Sequence, residues 1–77
     1  MGAKLTIRYD RVGDILYIDR VPPYDEQECD ELEDGILVRV NPSNEEGEGL
    51  EILFYSKRLS QSESLELPVE AALRLAT

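Results

Sequence analysis

The densest group of side chains that could do chemistry is an acidic stretch at residues 25–34. Its seven carboxylates are Asp25, Glu26, Glu28, Asp30, Glu31, Glu33 and Asp34. Carboxylate oxygens are the ligands that calcium and magnesium prefer, but an EF-hand loop starting at Asp30 would have Leu32 at its third position, without a ligand oxygen. The stretch is a solvated loop or edge strand, a protein-binding patch, or a metal site. We favour a solvated loop or edge strand and retain the protein-binding patch as an alternative. We predict no metal and no cofactor.

Nucleophilic catalysis has little support in the chain. The single cysteine, Cys29, lies between Glu28 and Asp30, and neighbouring negative charge disfavours the thiolate that a nucleophile needs. The chain contains no histidine, the usual general base at neutral pH. Ser56 and Lys57 are adjacent but lack the S-x-x-K or G-x-S-x-G context of known serine nucleophiles. We predict no catalytic residues and no enzymatic activity.

Asp10 and Asp14 bracket a short turn that contains Gly13. Paired carboxylates can do acid–base work, but only within a pocket. Aspartates at turns commonly bond to their own backbone, which explains both residues more simply. Gly13 is expected to supply a positive φ. Farther along, Lys57 and Arg58 form either a small anion site or salt bridges to the acidic excess, and we favour salt bridges.

The net charge of −9 is unevenly distributed, with +1 in residues 1–24 and −10 in residues 25–77. Such a field repels phosphate backbones and attracts basic partners. Single-strand binders combine aromatic platforms with a basic groove, so we interpret the tyrosines as sheet packing. These tyrosines are Tyr9, Tyr17, Tyr24 and Tyr55. We expect no nucleic-acid partner.

The chain is expected to form one domain over residues 1–77. A chain this small buries only about 60–65% of its unfolded surface, and small scaffolds rely on a disulfide, a metal or a partner chain. A disulfide within the chain needs a second cysteine, so oligomerisation is the expected support. The absence of a signal-like apolar run and of a membrane-length segment predicts a cytoplasmic protein without a membrane partner.

Alternating apolar residues predict an antiparallel sheet over about residues 4–56. Four main strands are expected, in two hairpins, with the stretch 49–55 as the central strand. A short fifth strand near 27–33 is an open alternative to a loop. The helix prediction rests on Pro68, which suits a first helical position, and on an apolar face of Val69, Ala72, Leu73 and Ala76. The expected fold is therefore α+β, with a C-terminal helix at about 68–76 packed on one face of the sheet.

The second and the central strands are apolar on both sides. Because one short helix covers one face of the sheet, part of the other face would be exposed. Contiguous apolar patches usually mark interfaces. We therefore expect a homodimer that forms through the second face of the sheet.

The order of several short motifs resembles a known family. These motifs are Tyr9-Asp10, Asp14-Ile15-Leu16-Tyr17-Ile18, Glu33-Asp34-Gly35-Ile36, Gly49-Leu50-Glu51-Ile52-Leu53 and Ser56-Lys57. In this order and spacing the chain resembles, over about residues 5–59, the short prokaryotic proteins of the domain of unknown function 2283 family. The connection 41–48 is longer and more acidic than the usual turn. The resemblance implies a small antiparallel sheet with a helix, no established activity and no catalytic residues.

Two functions follow as expectations. The first is a non-catalytic acidic interaction protein that binds a small basic protein. The resemblance to this family implies an origin beside small toxin-like proteins, and hence that the partner is a toxin that the chain neutralises. The second is a self-contained homo-oligomeric module of structural or regulatory use without a ligand, in which acidity serves solubility.

Overall fold

A computed structural model describes residues 4–75 of the chain. Its sheet contains β1 (Thr6–Asp10), β2 (Ile15–Asp19), β3 (Glu28–Glu33), β4 (Ile36–Val40) and β5 (Gly47–Leu53). The strands lie in the order β1-β2-β5-β4-β3, and every neighbouring pair is antiparallel. One helix, α1 (Tyr55–Gln61), follows the sheet. The predicted α+β class, with a small antiparallel sheet and a C-terminal helix, is confirmed.

The central position of β5 is confirmed, but the sheet ends earlier than predicted. The strand stops at Leu53 because Phe54 adopts a left-handed conformation with φ 56°. Tyr55 then begins α1 instead of continuing the strand. Phe and Tyr favour strands, so local propensity alone extended the strand prediction too far.

The optional fifth strand is present as β3, at an edge of the sheet. Among the strands of residues 4–75 it pairs only with β4, and an irregular register between Glu31 and Glu33 bends it before the turn. Gly35 closes this turn with φ 78°, a conformation that glycine adopts at low cost. The charged stretch therefore forms an edge strand rather than a loop.

The helix predicted at about 68–76 is wrong over its described part, because residues 70–75 have no regular structure and residues 68 and 69 form a bend. Residue 76 lies outside the described residues. An isolated helix of two to three turns is unstable unless its apolar face is packed. Leu73 and Leu75 are 85% and 89% exposed, so this segment lacks the packing that its helical pattern needs.

The two faces of the sheet differ in chemistry. One, here called the apolar face, carries two rows across four strands: Ile7, Ile18, Leu50 and Val38, then Tyr9, Leu16, Ile52 and Ile36. Of the described hydrophobic side chains, only Ile36 and Ile52 are fully buried there. The polar face carries the charged side chains of Asp19 and Arg39, which lie in one row on either side of Gly49. No helix in the described part of the chain is long and apolar enough to cross a membrane.

Candidate functional site

The acidic edge is the main candidate site, and we define it by the seven carboxylates of residues 25–34. Four of them, Glu28, Asp30, Glu31 and Glu33, lie on β3. Asp25 and Glu26 lie in the turn that precedes β3, and Asp34 lies in the turn that follows it. All seven residues are exposed. The structure thus brings every predicted patch residue to one edge of the sheet.

The charges of the acidic edge are not neutralised within the described chain. Across residues 4–75, every ion pair joins an arginine to Asp19, Glu46 or Glu51, so the acidic edge takes part in none. Its seven carboxylates repel one another and attract cationic groups from solution. The outer side of β3 also has no neighbouring strand in the described residues. Its backbone is therefore available to pair with an added strand.

The acidic edge does not have the form of a metal cage. Among the described residues, no three histidine, cysteine, aspartate or glutamate side chains converge as metal ligands. Successive strand side chains point to opposite faces, which separates neighbouring carboxylates of β3. A cation site would need several oxygens around one point.

A polar cluster supports the start of β3 from the neighbouring hairpin. The Glu48 carboxylate accepts hydrogen bonds from the Tyr24 hydroxyl at 2.6 Å and from the Gln27 amide at 3.0 Å. Asn41 donates to its second oxygen at 3.3 Å. The bond from Tyr24 is the main cause that lowers the pKa of Glu48, and it raises the pKa of Tyr24 to about 12.

A buried ion cluster lies next to this one on the polar face. The Arg39 guanidinium pairs with Asp19, and its Nε lies 3.1 Å from the Glu51 carboxylate. Its Nη1 donates to Gln27 at 3.3 Å. Asp19 and Arg39 are only 7% and 5% exposed. Gln27 therefore links the buried charges to the segment that leads into the acidic edge.

Cys29 lies on β3 and is exposed. Partial desolvation is the main cause that raises the pKa of its thiol, and the negative charges of Glu51 and Asp30 add to the effect. Neighbouring negative charge therefore raises the pKa of the thiol, as the sequence predicts for Asp30, but desolvation has the larger effect on this pKa. A thiol with a raised pKa is a weak nucleophile at neutral pH.

Asp14 ties the first turn to α1. Its carboxylate accepts hydrogen bonds from the Tyr9 hydroxyl at 2.5 Å, from the Ser56 amide at 3.0 Å and from the Ser56 hydroxyl at 2.8 Å. These bonds, that of Tyr9 first, lower the pKa of Asp14. A carboxylate with a lowered pKa is a poor base for activating a serine. The contact therefore fixes the turn against the helix.

The turn itself differs in one detail from expectation. Asp10 accepts bonds from the amides of Val12 and Gly13 at 3.0 and 3.3 Å, as predicted for a turn aspartate. The positive φ, however, belongs to Asp14, at 56°, and not to Gly13. Aspartate tolerates this region better than most residues, and its three side-chain bonds hold it there.

Arg58 does not form the salt bridges that the sequence predicts, because within residues 4–75 its guanidinium binds main-chain carbonyls. Its Nε donates to the Leu53 carbonyl at 2.7 Å, and its Nη2 donates to the Asp34 carbonyl at 2.7 Å. The guanidinium therefore clamps α1 to the β3–β4 turn through main-chain oxygens. Lys57 makes no ion pair within residues 4–75, and its ammonium lies 5.8 Å from the Phe54 ring centroid.

The tyrosines do not form a common platform. Tyr9 and Tyr55 meet at 5.7 Å between ring centroids, whereas Tyr17 lies beneath the Arg8 guanidinium at 3.9 Å. Tyr24 donates to Glu48 in the polar cluster. The four rings thus lie in three separate places, with Tyr9 and Tyr55 as the only pair in contact among the described tyrosines.

Sequence reasoning missed the buried charges of Asp19 and Arg39. The available signal was Gly49 inside an otherwise apolar strand, because an interior glycine often marks a close approach of other groups. The second signal was a lone arginine in the apolar run 36–40. Together they indicate a charged side chain that crosses a neighbouring strand.

These features define a small antiparallel-sheet protein with a buried ion cluster on one face and an acidic edge strand. The profile of the family described as "Protein of unknown function (DUF2283)" matches residues 6–56. The chain belongs to this family. No curated protein and no solved structure shows significant similarity to it.

Proposed function

We propose that the protein is a non-catalytic interaction protein whose acidic edge binds a basic segment of a partner protein. The observation that carries this proposal is the exposure of seven carboxylates on and around β3, without an ion pair in residues 4–75. The open backbone side of β3 supports pairing with an extended partner segment. The family resemblance suggests a small basic, toxin-like protein as such a partner.

The charges of β3 have an alternative role, which is to prevent edge-to-edge association of the protein with itself. The two roles predict different behaviour when the charges are removed. Loss of a partner would indicate binding, whereas aggregation of an otherwise partner-free chain would indicate protection of the edge.

The test is capture of the tagged protein from its own host lysate at low salt, followed by mass measurement of the complex. We expect a small basic protein in stoichiometric amount, released as salt rises because screening weakens charge pairing. The test variant neutralises the four carboxylates of β3 (E28Q, D30N, E31Q and E33Q). The matched control neutralises four exposed carboxylates elsewhere (E45Q, E63Q, E66Q and E70Q).

The β3 variant should lose the partner, and the control should keep it, although both change the net charge equally. Equal retention by both variants would contradict the proposal. Equal loss would show that overall charge, rather than the acidic edge, controls binding.

A second candidate function is a self-contained homo-oligomeric module without a ligand. It is favoured by the large apolar side chains that stay exposed on the apolar face, namely Ile7 and Tyr9. Capture of the chain alone, at a multiple of its own mass, would support this candidate. Capture of a bare monomer would count against it.

A further inference from the structure

We propose that residues 69–75 act as a strap that closes over a groove on the apolar face of the sheet and controls access to it. The floor of this apolar groove consists of Ile18, Val38 and Leu50, which lie in one row on β2, β4 and β5. The strap and the groove involve none of the seven carboxylates of the acidic edge. The two proposals can therefore be tested separately.

The strap already lies beside its docking surface. Residues 69–75 and the three floor residues line one and the same cavity, which has a volume of about 740 Å³. Packed protein interiors leave few voids larger than a water molecule. The segment therefore covers the groove without filling it, and side chains of the segment have room to enter.

The chain is anchored just before the strap begins. Leu65 and Leu67 are half-buried, whereas Glu66 between them is exposed, which is the alternation of an extended segment with one side against the protein. The Val69 amide then donates to the Leu67 carbonyl at 2.8 Å, in a tight turn. The strap therefore starts from a held point next to the groove.

The side chains of the strap match the floor of the groove in polarity. Five of the seven residues in the stretch 69–75 are apolar, and Leu73 and Leu75 project largely into solvent. The three floor residues are only half-buried. Closure would remove both apolar surfaces from water, which is favourable in proportion to the area covered.

The charges around the cavity also match. The body of the protein contributes Arg20 and Glu48 to the cavity lining, and the strap contributes Glu70 and Arg74. Each side thus offers one cation and one anion, so closure brings opposite charges together. Within residues 4–75 neither Glu70 nor Arg74 takes part in an ion pair, so closure displaces no ion pair of the strap.

Covalent attachment favours the strap over a separate molecule as the occupant of the groove. A group on a short flexible tether acts at an effective concentration on the order of millimolar. Ordering seven residues costs conformational entropy that offsets the gain from burial, so the strap opens again rather than staying permanently closed. Any other molecule reaches the apolar groove only while the strap is open.

Nuclear Overhauser contacts between methyl groups of the full chain are the first measurement. We expect contacts from the leucines of the strap to Ile18 or Leu50. Because closure is intramolecular, the methyl shifts of the floor residues should not change on dilution. Shifts that change with concentration would overturn the proposal, because the groove would then be covered by a second copy of the chain.

Leu73→Glu tests closure because its side chain is 85% exposed in the arrangement seen here. We expect loss of the methyl contacts and a shift of the Ile18 and Leu50 methyl resonances, since a carboxylate is costly to bury in an apolar groove. Val12→Glu is the matched control, because it makes the same apolar-to-carboxylate change at a 99% exposed position in the β1–β2 turn, outside the cavity lining. If Leu73→Glu fails to fold, Leu73→Gln gives the same test without an added charge.

Three further results would overturn the proposal. One is the absence of any contact from the strap leucines to the floor in the wild-type chain. Another is a set of floor resonances that Leu73→Glu and Leu73→Gln leave unchanged, because the strap would then remain outside the groove. The third is an equal shift in Val12→Glu, since added charge rather than loss of closure would be responsible.

Discussion

Arg39 and Asp19 form a buried ion pair across a strand that belongs to neither of them. Arg39 lies on β4 and Asp19 on β2, and β5 runs between these strands. Both residues are in register with Gly49 of β5. Because Gly49 has no side chain, the guanidinium can pass over β5 and reach the carboxylate. This pair explains why a glycine occupies the middle of the sheet.

Gly49→Ala should destabilise the fold by about 1–3 kcal/mol, the usual cost of overpacking. An added Cβ would lie 2.5 Å from Arg39 Nη2 and 2.8 Å from Asp19 Oδ1. Gly47→Ala is the matched control, because its Cβ would meet Val38 Cγ2 at an ordinary 3.6 Å. Urea unfolding of both variants measures the difference. Equal stabilities would contradict the crossing of β5 by the ion pair.

Arg39→Met should lower the free energy of unfolding by about 3–5 kcal/mol, because it leaves Asp19 buried without its cation. The control is Arg20→Met at an exposed pair, where Nη2 lies 3.7 Å from the Glu46 carboxylate. That change should cost no more than about 1 kcal/mol. The double variant Asp19→Asn, Arg39→Met should recover part of the loss. A small effect of Arg39→Met alone would show that the cluster is accessible to water.

Asp14 should contribute to stability with a defined pH dependence. The pKa of its carboxyl is lowered from 3.8 by the bond from Tyr9 and then by those from Ser56. Its contribution is therefore present above the unfolded value and is lost as the pH falls through the lower folded value. Tyr9→Phe removes the largest cause and should raise the pKa of Asp14, as measured by NMR titration. Tyr17→Phe is the control, and an equal shift in that variant would refute the assignment.

Tyr24 should ionise later than a free tyrosine. Donation to Glu48, at 2.6 Å, raises the pKa of its hydroxyl to about 12. The stabilising effect is fully present below the ordinary value of 10 and is lost as the pH rises through the folded value. Tyrosinate absorbance should show this late step in the wild type and lose it in Tyr24→Phe. Glu48→Gln should bring the step to lower pH, and an unchanged titration would exclude Glu48 as its cause.

Arg58→Met should detach α1 from the sheet. The helix has seven residues, too few to be stable alone, and Arg58 joins it to two main-chain carbonyls. We expect faster hydrogen exchange of the α1 amides with little change in β4 and β5. Lys57→Met, one residue earlier, is the control. Equal exchange in both variants would show that other contacts hold the helix.

The strands were predictable from the sequence because alternation directly reports which faces are buried. Four main strands and the optional fifth appear as predicted, including the acidic β3. The helix was misplaced because its position depends on tertiary contacts. Phe54 adopts a left-handed conformation, and hydrogen bonds hold Ser56 and Arg58 in place. A segment with strand propensity therefore forms a helix. Residues 69–75 have a helical pattern but no packed surface beneath it.

The acidic edge was likewise predictable, since its charges follow one another along the chain. The clusters around Arg39 and Glu48 were not, because each joins residues that are distant in sequence. Gln27 illustrates the difficulty, as it contacts both Glu48 and Arg39 through its amide and yet reads as an ordinary polar residue. Only the register of β2, β5 and β4 brings these groups together.

The strand order also has a consequence for how the chain folds. The β1–β2, β3–β4 and β4–β5 pairs are hairpins between consecutive strands, whereas β2 and β5 are separated by the whole of β3 and β4. Closing that long loop costs entropy before its contacts form. We therefore expect two locally formed halves whose joining at the β2–β5 ladder limits the folding rate. The Arg39–Asp19 ion pair lies over the same ladder. The buried charges therefore stabilise the contact that joins the two halves into one sheet.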